Sequence, residues 1–178
     1  MSDADVTPEL DDNPVERTSA VTTDAGPEDV PREVDPSGAR DESVFRVMSV
    51  ESVTFNLGDV SPQVHLTESE APFRHLSVPI ALPEAQALYG ALNNVTGRRP
   101  STHELAAAML RQFQADIIAV RVVRYEAGVF YAELDTMTPR GREVFDARPS
   151  DAFILALRQA VSAPILCDQE VLAQFYVS

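Results

Sequence analysis

Two short runs of this sequence hold most of the side chains that can do chemistry. They are Arg98-Arg99-Pro100-Ser101-Thr102-His103-Glu104 and Asp146-Ala147-Arg148-Pro149-Ser150-Asp151. His103 can serve as a general base or a metal ligand. Glu104, Asp146 and Asp151 can offer oxygen ligands to a divalent cation such as Mg2+ or Mn2+. Arg148 can clamp a phosphoryl oxygen, and Ser150 adds a hydroxyl beside it. Such a set suits metal-assisted hydrolysis of a phosphate ester. Each member also has a purely structural reading. Ser101 and Glu104 have the spacing of a capping box. Ser150 and Asp151 suit the exposed N–H groups of a first helical turn. Arg148 can simply pair with Asp146 or Asp151.

Both runs stand at expected helix N-termini, where free N–H groups and the dipole favour an anion. A short strand over Glu143–Phe145 leads to Pro149, which fits a first helical turn because its missing N–H costs nothing there. The helix behind it, Ala152-Phe153-Ile154-Leu155-Ala156-Leu157, is apolar almost all round and is expected to be buried. Ser101 opens another helix, with Leu105, Met109 and Phe113 as its core-facing stripe. Pro83 opens a third through Leu92, with Ala85, Leu88 and Leu92 on one face.

Strands are expected over Phe45–Phe55, Gln63–Thr67, His75–Ile80, Ile117–Tyr125, Val129–Met137, Arg142–Phe145 and Ile165–Leu166. Turn residues cluster at Asn56–Asp59, Glu126–Gly128 and Pro139–Gly141. Asp168 caps a last helical turn. The two halves look alike, each being three strands, a proline and an apolar helix. Leu82-Pro83-Glu84-Ala85 mirrors Arg148-Pro149-Ser150-Asp151 about 66 residues later, although identities between the halves are few. The expected fold is a single α+β domain of internally duplicated strand-meander-plus-helix units.

Charge divides the 178-residue chain, whose net charge is -14. Residues 1–43 carry 13 Asp/Glu against 3 Arg, with five prolines and no aromatic residue, and are expected to be a disordered acidic arm. Residues 44–178 carry 15 Asp/Glu against 11 Arg and are the expected folded domain. No basic face of the kind used for non-specific nucleic-acid binding stands out. The single Cys167 excludes an internal disulfide and points to a reducing compartment. No apolar run approaches the roughly 20 residues of a membrane span, and the acidic N-terminus lacks the apolar stretch of a secretory signal. A cytoplasmic protein with no membrane association is expected. His65 and His75 fall on strands and are assigned no chemistry. Phosphate-binding glycine loops and the CxxC, HExxH and GxSxG motifs are all missing.

The runs RPSTHEL, FYAEL and FDARPSDAFILALR resemble those of the bifunctional nuclease (BFN) domain family. The resemblance covers about Val44 to Gln174. It implies an internally duplicated α+β fold, homo-oligomers and, from the plant members that gave the family its name, activity on RNA and DNA. The residues it carries over are Thr102, His103 and Glu104 from the first motif, and Asp146, Arg148, Ser150 and Asp151 from the second. The chain departs from the family pattern in places. Ile80-Ala81 stands where an isoleucine-glycine step is usual, and Arg99 replaces the more usual first proline of its loop. By the resemblance, a C-terminal extension common in bacterial members is expected to be missing here and the acidic arm to be an addition.

Two functions are therefore expected in competition. In the first, a nuclease, His103 is base or ligand, Glu104, Asp146 and Asp151 hold the ion, and Arg148 stabilises charge on the phosphorane. In the second, a non-catalytic homo-oligomeric regulatory or interaction module binds a small anion or a protein partner, and capping accounts for every motif residue. The nuclease requires the two motifs to meet. Metal–ligand bonds of about 2.0–2.6 Å demand that His103 or Glu104 lie within roughly 8 Å of Asp146, Arg148 or Asp151.

Overall fold

The structure, a computed structural model, describes residues 44–56, 58 and 60–176. The expected disordered arm lies outside the described residues. The elements run β1 (Phe45–Thr54), β2 (Gln63–Glu68), β3 (His75–Pro79), α1 (Leu82–Leu92), α2 (Thr102–Gln112), β4 (Asp116–Glu126), β5 (Val129–Thr138), β6 (Gly141–Ala147), α3 (Pro149–Leu157), β7 (Ile165–Asp168) and α4 (Gln169–Ala173). Every strand and helix expected from the sequence is present, and the class is α+β. The strands form one mixed sheet in the order β3-β2-β1-β7-β4-β5-β6. Two antiparallel three-stranded meanders thus flank β7, which is antiparallel to β1 and parallel to β4. Each meander leads into a proline-started helix, α1 or α3. The likeness of the halves is one of pattern and does not amount to a demonstrated duplication.

Strand register sorts side chains onto two faces, because neighbours along a strand point to opposite sides. Met48, Ile165, Val120, Leu134 and Phe145 form one row across five strands, and Cys167, Val122, Ala132 and Ala147 form the next. Apart from Phe145, which is exposed on the edge strand β6, these rows build the hydrophobic core with Ala85 and Leu88 of α1, Phe153 and Ile154 of α3, and Val171 and Leu172 of α4. Cys167 lies within it, and burial pushes its thiol pKa up to about 12, so it is an inert core side chain. The opposite face carries the row Val47, Leu166, Arg121, Glu133 and Asp146. The β4–β5 hairpin closes on Ala127-Gly128, both at positive φ, which is the two-residue turn that matches the twist of its strands.

One helix assignment is corrected. Leu105, Met109 and Phe113 have helical spacing, yet all three are exposed. The side of α2 turned inward carries Ala107 and the half-buried His103 and Leu110. Small Ala107 lets α2 lie close to its neighbour, and His103 is bonded to α3 from that same side. Rotating the apolar stripe inward would break that bond. The buried-helix reading of α3 holds, with Phe153 and Ile154 fully enclosed and Leu155 only half buried.

Truncating a fully enclosed aromatic leaves a cavity, so Phe153→Ala should cost about 3–5 kcal/mol, and Leu155→Ala distinctly less. Chemical denaturation of both variants checks the ordering. A Leu155→Ala loss equal to that of Phe153→Ala would contradict this orientation of the helix.

Candidate active site

The N-terminal turns of α1, α2 and α3 come together, and each has an acidic residue at its third position: Glu84, Glu104 and Asp151. That placement is locally favourable, because a carboxylate there lies against the positive end of the helix dipole. The three acids are used differently. Glu104 completes the capping box read from the sequence: its Oε2 accepts from the Ser101 N–H at 2.7 Å, and the Ser101 hydroxyl accepts from the Glu104 N–H at 3.3 Å. Backbone hydrogen bonding to Ser101 is the main reason its pKa is lowered.

Asp151 does no capping, and α3 starts at Arg148 without a side-chain cap. Its Oδ1 lies 2.9 Å from His103 Nε2 and 3.0 Å from Arg148 Nη2, while its Oδ2 lies 2.8 Å from Arg148 Nε. The two motifs therefore meet, within the distance expected of a shared site. Burial works to raise the Asp151 pKa. The hydrogen bonds and charges of Arg148 and His103 outweigh it, and the net shift is downward. A carboxylate accepts only, so Nε2 of His103 carries the proton in this bond. Nδ1 is then the nitrogen left with a lone pair, and it makes no hydrogen bond among the described residues.

Arg148 reaches further, placing Nη1 2.9 Å from Glu84 Oε1. Its guanidinium ties the acids of α1 and α3 together while its side chain stays 64% exposed. The other Glu84 oxygen, Oε2, is buried and has no hydrogen-bond partner among the described residues. The sequence reading did not single out Glu84 as a site residue. The available signal was the mirrored Leu82-Pro83-Glu84 entry, which puts this acid at the position Asp151 occupies in α3.

The remaining expected residues are placed as follows. Ser150 is buried and, with Arg148, lines a cavity of about 290 Å3 beside Ile80 and Phe130. Thr102 is exposed in the first turn of α2. Asp146 stands on β6 opposite Glu133, on the sheet face away from the core rows, because strand alternation turns it aside from Phe145 and Ala147. It makes no side-chain hydrogen bond or ion pair among the described residues.

Glu104, Asp146 and Asp151 are therefore not gathered around one point. Glu104 is committed to its cap, Asp151 is occupied by Arg148 and His103, and Asp146 lies across the sheet. Among the described residues no group of three His, Cys, Asp or Glu side chains is arranged to hold a metal ion. The donor set does not fit a shared divalent cation. Nor is any described helix long and apolar enough to cross a membrane.

Comparison with known proteins places the sequence in a family. The model of the bifunctional nuclease domain matches residues 64–178, which include α1, α2 and α3. Two curated relatives are uncharacterized proteins of Mycobacterium tuberculosis, MT1877 of strain CDC 1551 / Oshkosh and Rv1829 of strain ATCC 25618 / H37Rv. Each is 37% identical over 101 residues, which is 57% of this chain and 58% of the relative. The chain thus spans a little over half the length of the relatives it matches.

Removing Asp151 takes the acceptor from the largely enclosed His103 imidazole and one of two carboxylate partners from the exposed Arg148. Asp151→Ala should cost about 1–3 kcal/mol at neutral pH. Arg148→Ala, which leaves Asp151 and the 13%-exposed Glu84 without their shared cation, should cost a similar amount, about 1–3 kcal/mol. Since the folded pKa of Asp151 lies below its ordinary 3.8, its contribution is complete above that pH and is lost as pH falls further. Urea titrations of wild type and Asp151→Ala at pH 7 and below pH 3.8 should show the gap closing on the acid side. Equal midpoints at pH 7 would remove Asp151 from its central position.

Proposed function

Because the chain belongs to the bifunctional nuclease domain family, we propose that it is a hydrolase of phosphodiester bonds, with nucleic acid as substrate and His103 as the general base. The observation that carries this reading is the His103–Asp151 bond. A carboxylate fixed on one imidazole nitrogen orients the ring and stabilises the cation that forms when the other nitrogen accepts a proton. Nδ1 of His103 takes the proton of an attacking water or ribose hydroxyl as its oxygen bonds to phosphorus. The P–O bond to the leaving oxygen then breaks, and that oxygen departs with a proton from solvent.

Arg148 is the group to meet charge on the phosphoryl oxygens, being exposed and already oriented by Asp151 and Glu84. Three helix N-termini at one place add to the attraction for an anion. Ser150 faces the neighbouring cavity and lends a hydroxyl there. Glu104 shapes the site by fixing the first turn of α2, and Asp146 has no part in this reading. The chemistry assigned to these residues uses no divalent cation. The reading includes a homo-oligomer, supported by the exposed Leu105, Met109 and Phe113 stripe on α2, and a cytoplasmic location, supported by the single buried thiol.

One observation favours the alternative, a non-catalytic module that binds a small anion or a protein. Arg148 is turned onto two carboxylates, and its bidentate grip on Asp151 is what a structural ion pair requires. A single experiment separates the two. Labelled single-stranded RNA and DNA oligonucleotides are incubated with the full chain, with and without Mg2+ or Mn2+. General-base catalysis predicts that His103→Ala lowers the cleavage rate by about 10²–10⁴-fold. Equal residual cleavage by wild type and His103→Ala leaves the non-catalytic module as the function.

A further inference from the structure

Among the described residues most arginines are neutralised. Of the eleven arginines between residues 44 and 178, eight are in ion pairs with carboxylates. The three without a carboxylate partner among the described residues are Arg98, Arg99 and Arg111. Two of them, Arg98 and Arg111, line the same cavity of about 540 Å3, between α2, the end of α3 and the loop 93–100. Arg158, which follows the last turn of α3, is a third.

Arg158 is the fixed member of the group. Its side chain is 14% exposed, and its Nη2 donates to Val95 O at 3.0 Å and lies 3.4 Å from Glu104 Oε1. Gly90 makes room for it, since a Cβ there would meet Arg158 Nη2 at 3.3 Å. Arg158 Nε is buried with no hydrogen-bond partner among the described residues. A buried guanidinium N–H without an acceptor is costly, and an anionic oxygen would relieve it. Glu104 is the single carboxylate of the lining, so three arginines face one acid. Two positive charges are left uncompensated, in a chain whose net charge is -14.

We propose that this cavity binds a dianionic phosphate monoester on a nucleoside-sized body. Two uncompensated arginines match a dianion. The volume falls in the usual range of small-molecule sites, about 300–1,000 Å3. Ala107, Ala108 and Leu157 give the body an apolar floor. The side-chain amides of Asn94 and Gln159 offer both donors and acceptors to the edge of a base. The site makes no use of His103 or Asp151 and stands whether or not those residues catalyse.

Isothermal titration of the full chain with a nucleoside 5′-monophosphate, the parent nucleoside and inorganic phosphate tests the proposal. The monophosphate should bind most tightly, phosphate more weakly, and the nucleoside should not saturate. Arg98 and Arg111 are exposed and hold no ion pair among the described residues, so Arg98→Ala/Arg111→Ala should keep its fold and lose about tenfold or more in affinity. Ala108→Glu, at an exposed helical position, should bring a carboxylate to the cavity wall and abolish binding without unfolding α2. His103→Ala should bind as wild type does. The proposal is overturned if the monophosphate does not bind, if the nucleoside binds equally well, or if Ala108→Glu binds undiminished.

Discussion

Asp151 accepts hydrogen bonds from two motifs that lie far apart in the chain, and the arrangement of the helices around the site depends on it. Its position in the first turn of α3 is favourable by itself, because the dipole stabilises a negative charge there. Capping would use that carboxylate locally. Here it is directed outward, to His103 on α2 and to Arg148, and Arg148 continues to Glu84 on α1. One carboxylate and one guanidinium thus connect three helix N-termini, adding polar ties to the apolar packing that α1 and α3 share in the core.

The cost of that connection appears in the packing of α2. Its most apolar stripe, Leu105, Met109 and Phe113, faces out, while the side bearing His103 and Ala107 faces in. A helix oriented by burial alone would be rotated the other way. Burying one apolar stripe is worth a few kcal/mol, so the inward side must recover a similar amount. It does so through the close approach allowed by Ala107, the contact of Leu110 with the core, and the charge-assisted bond to Asp151.

Much of the fold was legible because its signals are local. Runs rich in Phe, Val and other β-branched residues between turn clusters marked the strands, Ser101 and Glu104 declared their own cap, and Pro149 with the apolar run after it marked a buried helix. The meeting of the two motifs was legible only as a requirement of chemistry, since no local pattern fixes how distant helix ends approach each other. Four features were hidden. The orientation of α2 depends on a bond to another helix, and apolar spacing pointed to the wrong side. The position of Asp146 depends on strand parity: nearness in sequence to Arg148 suggested a shared site, but alternation sends it to the opposite face of the sheet. Glu84 looked like an ordinary first-turn acid, and only the packing of α1 beside α3 makes it a partner of Arg148. The cavity arginines were likewise invisible, because being unpaired is a property of the folded neighbourhood.

The account rests on His103 being held by Asp151 through Nε2, with Nδ1 left to accept a proton. The most direct measurement is nitrogen NMR of the imidazole rings near neutral pH. The chain has three histidines, so His103→Gln assigns the signals. The account predicts that neutral His103 is a single tautomer with Nε2 protonated and Nδ1 bare, and that Asp151→Asn releases it to a mixture. A protonated Nδ1 in the wild-type neutral ring, or a tautomer mixture unaffected by Asp151→Asn, would contradict it.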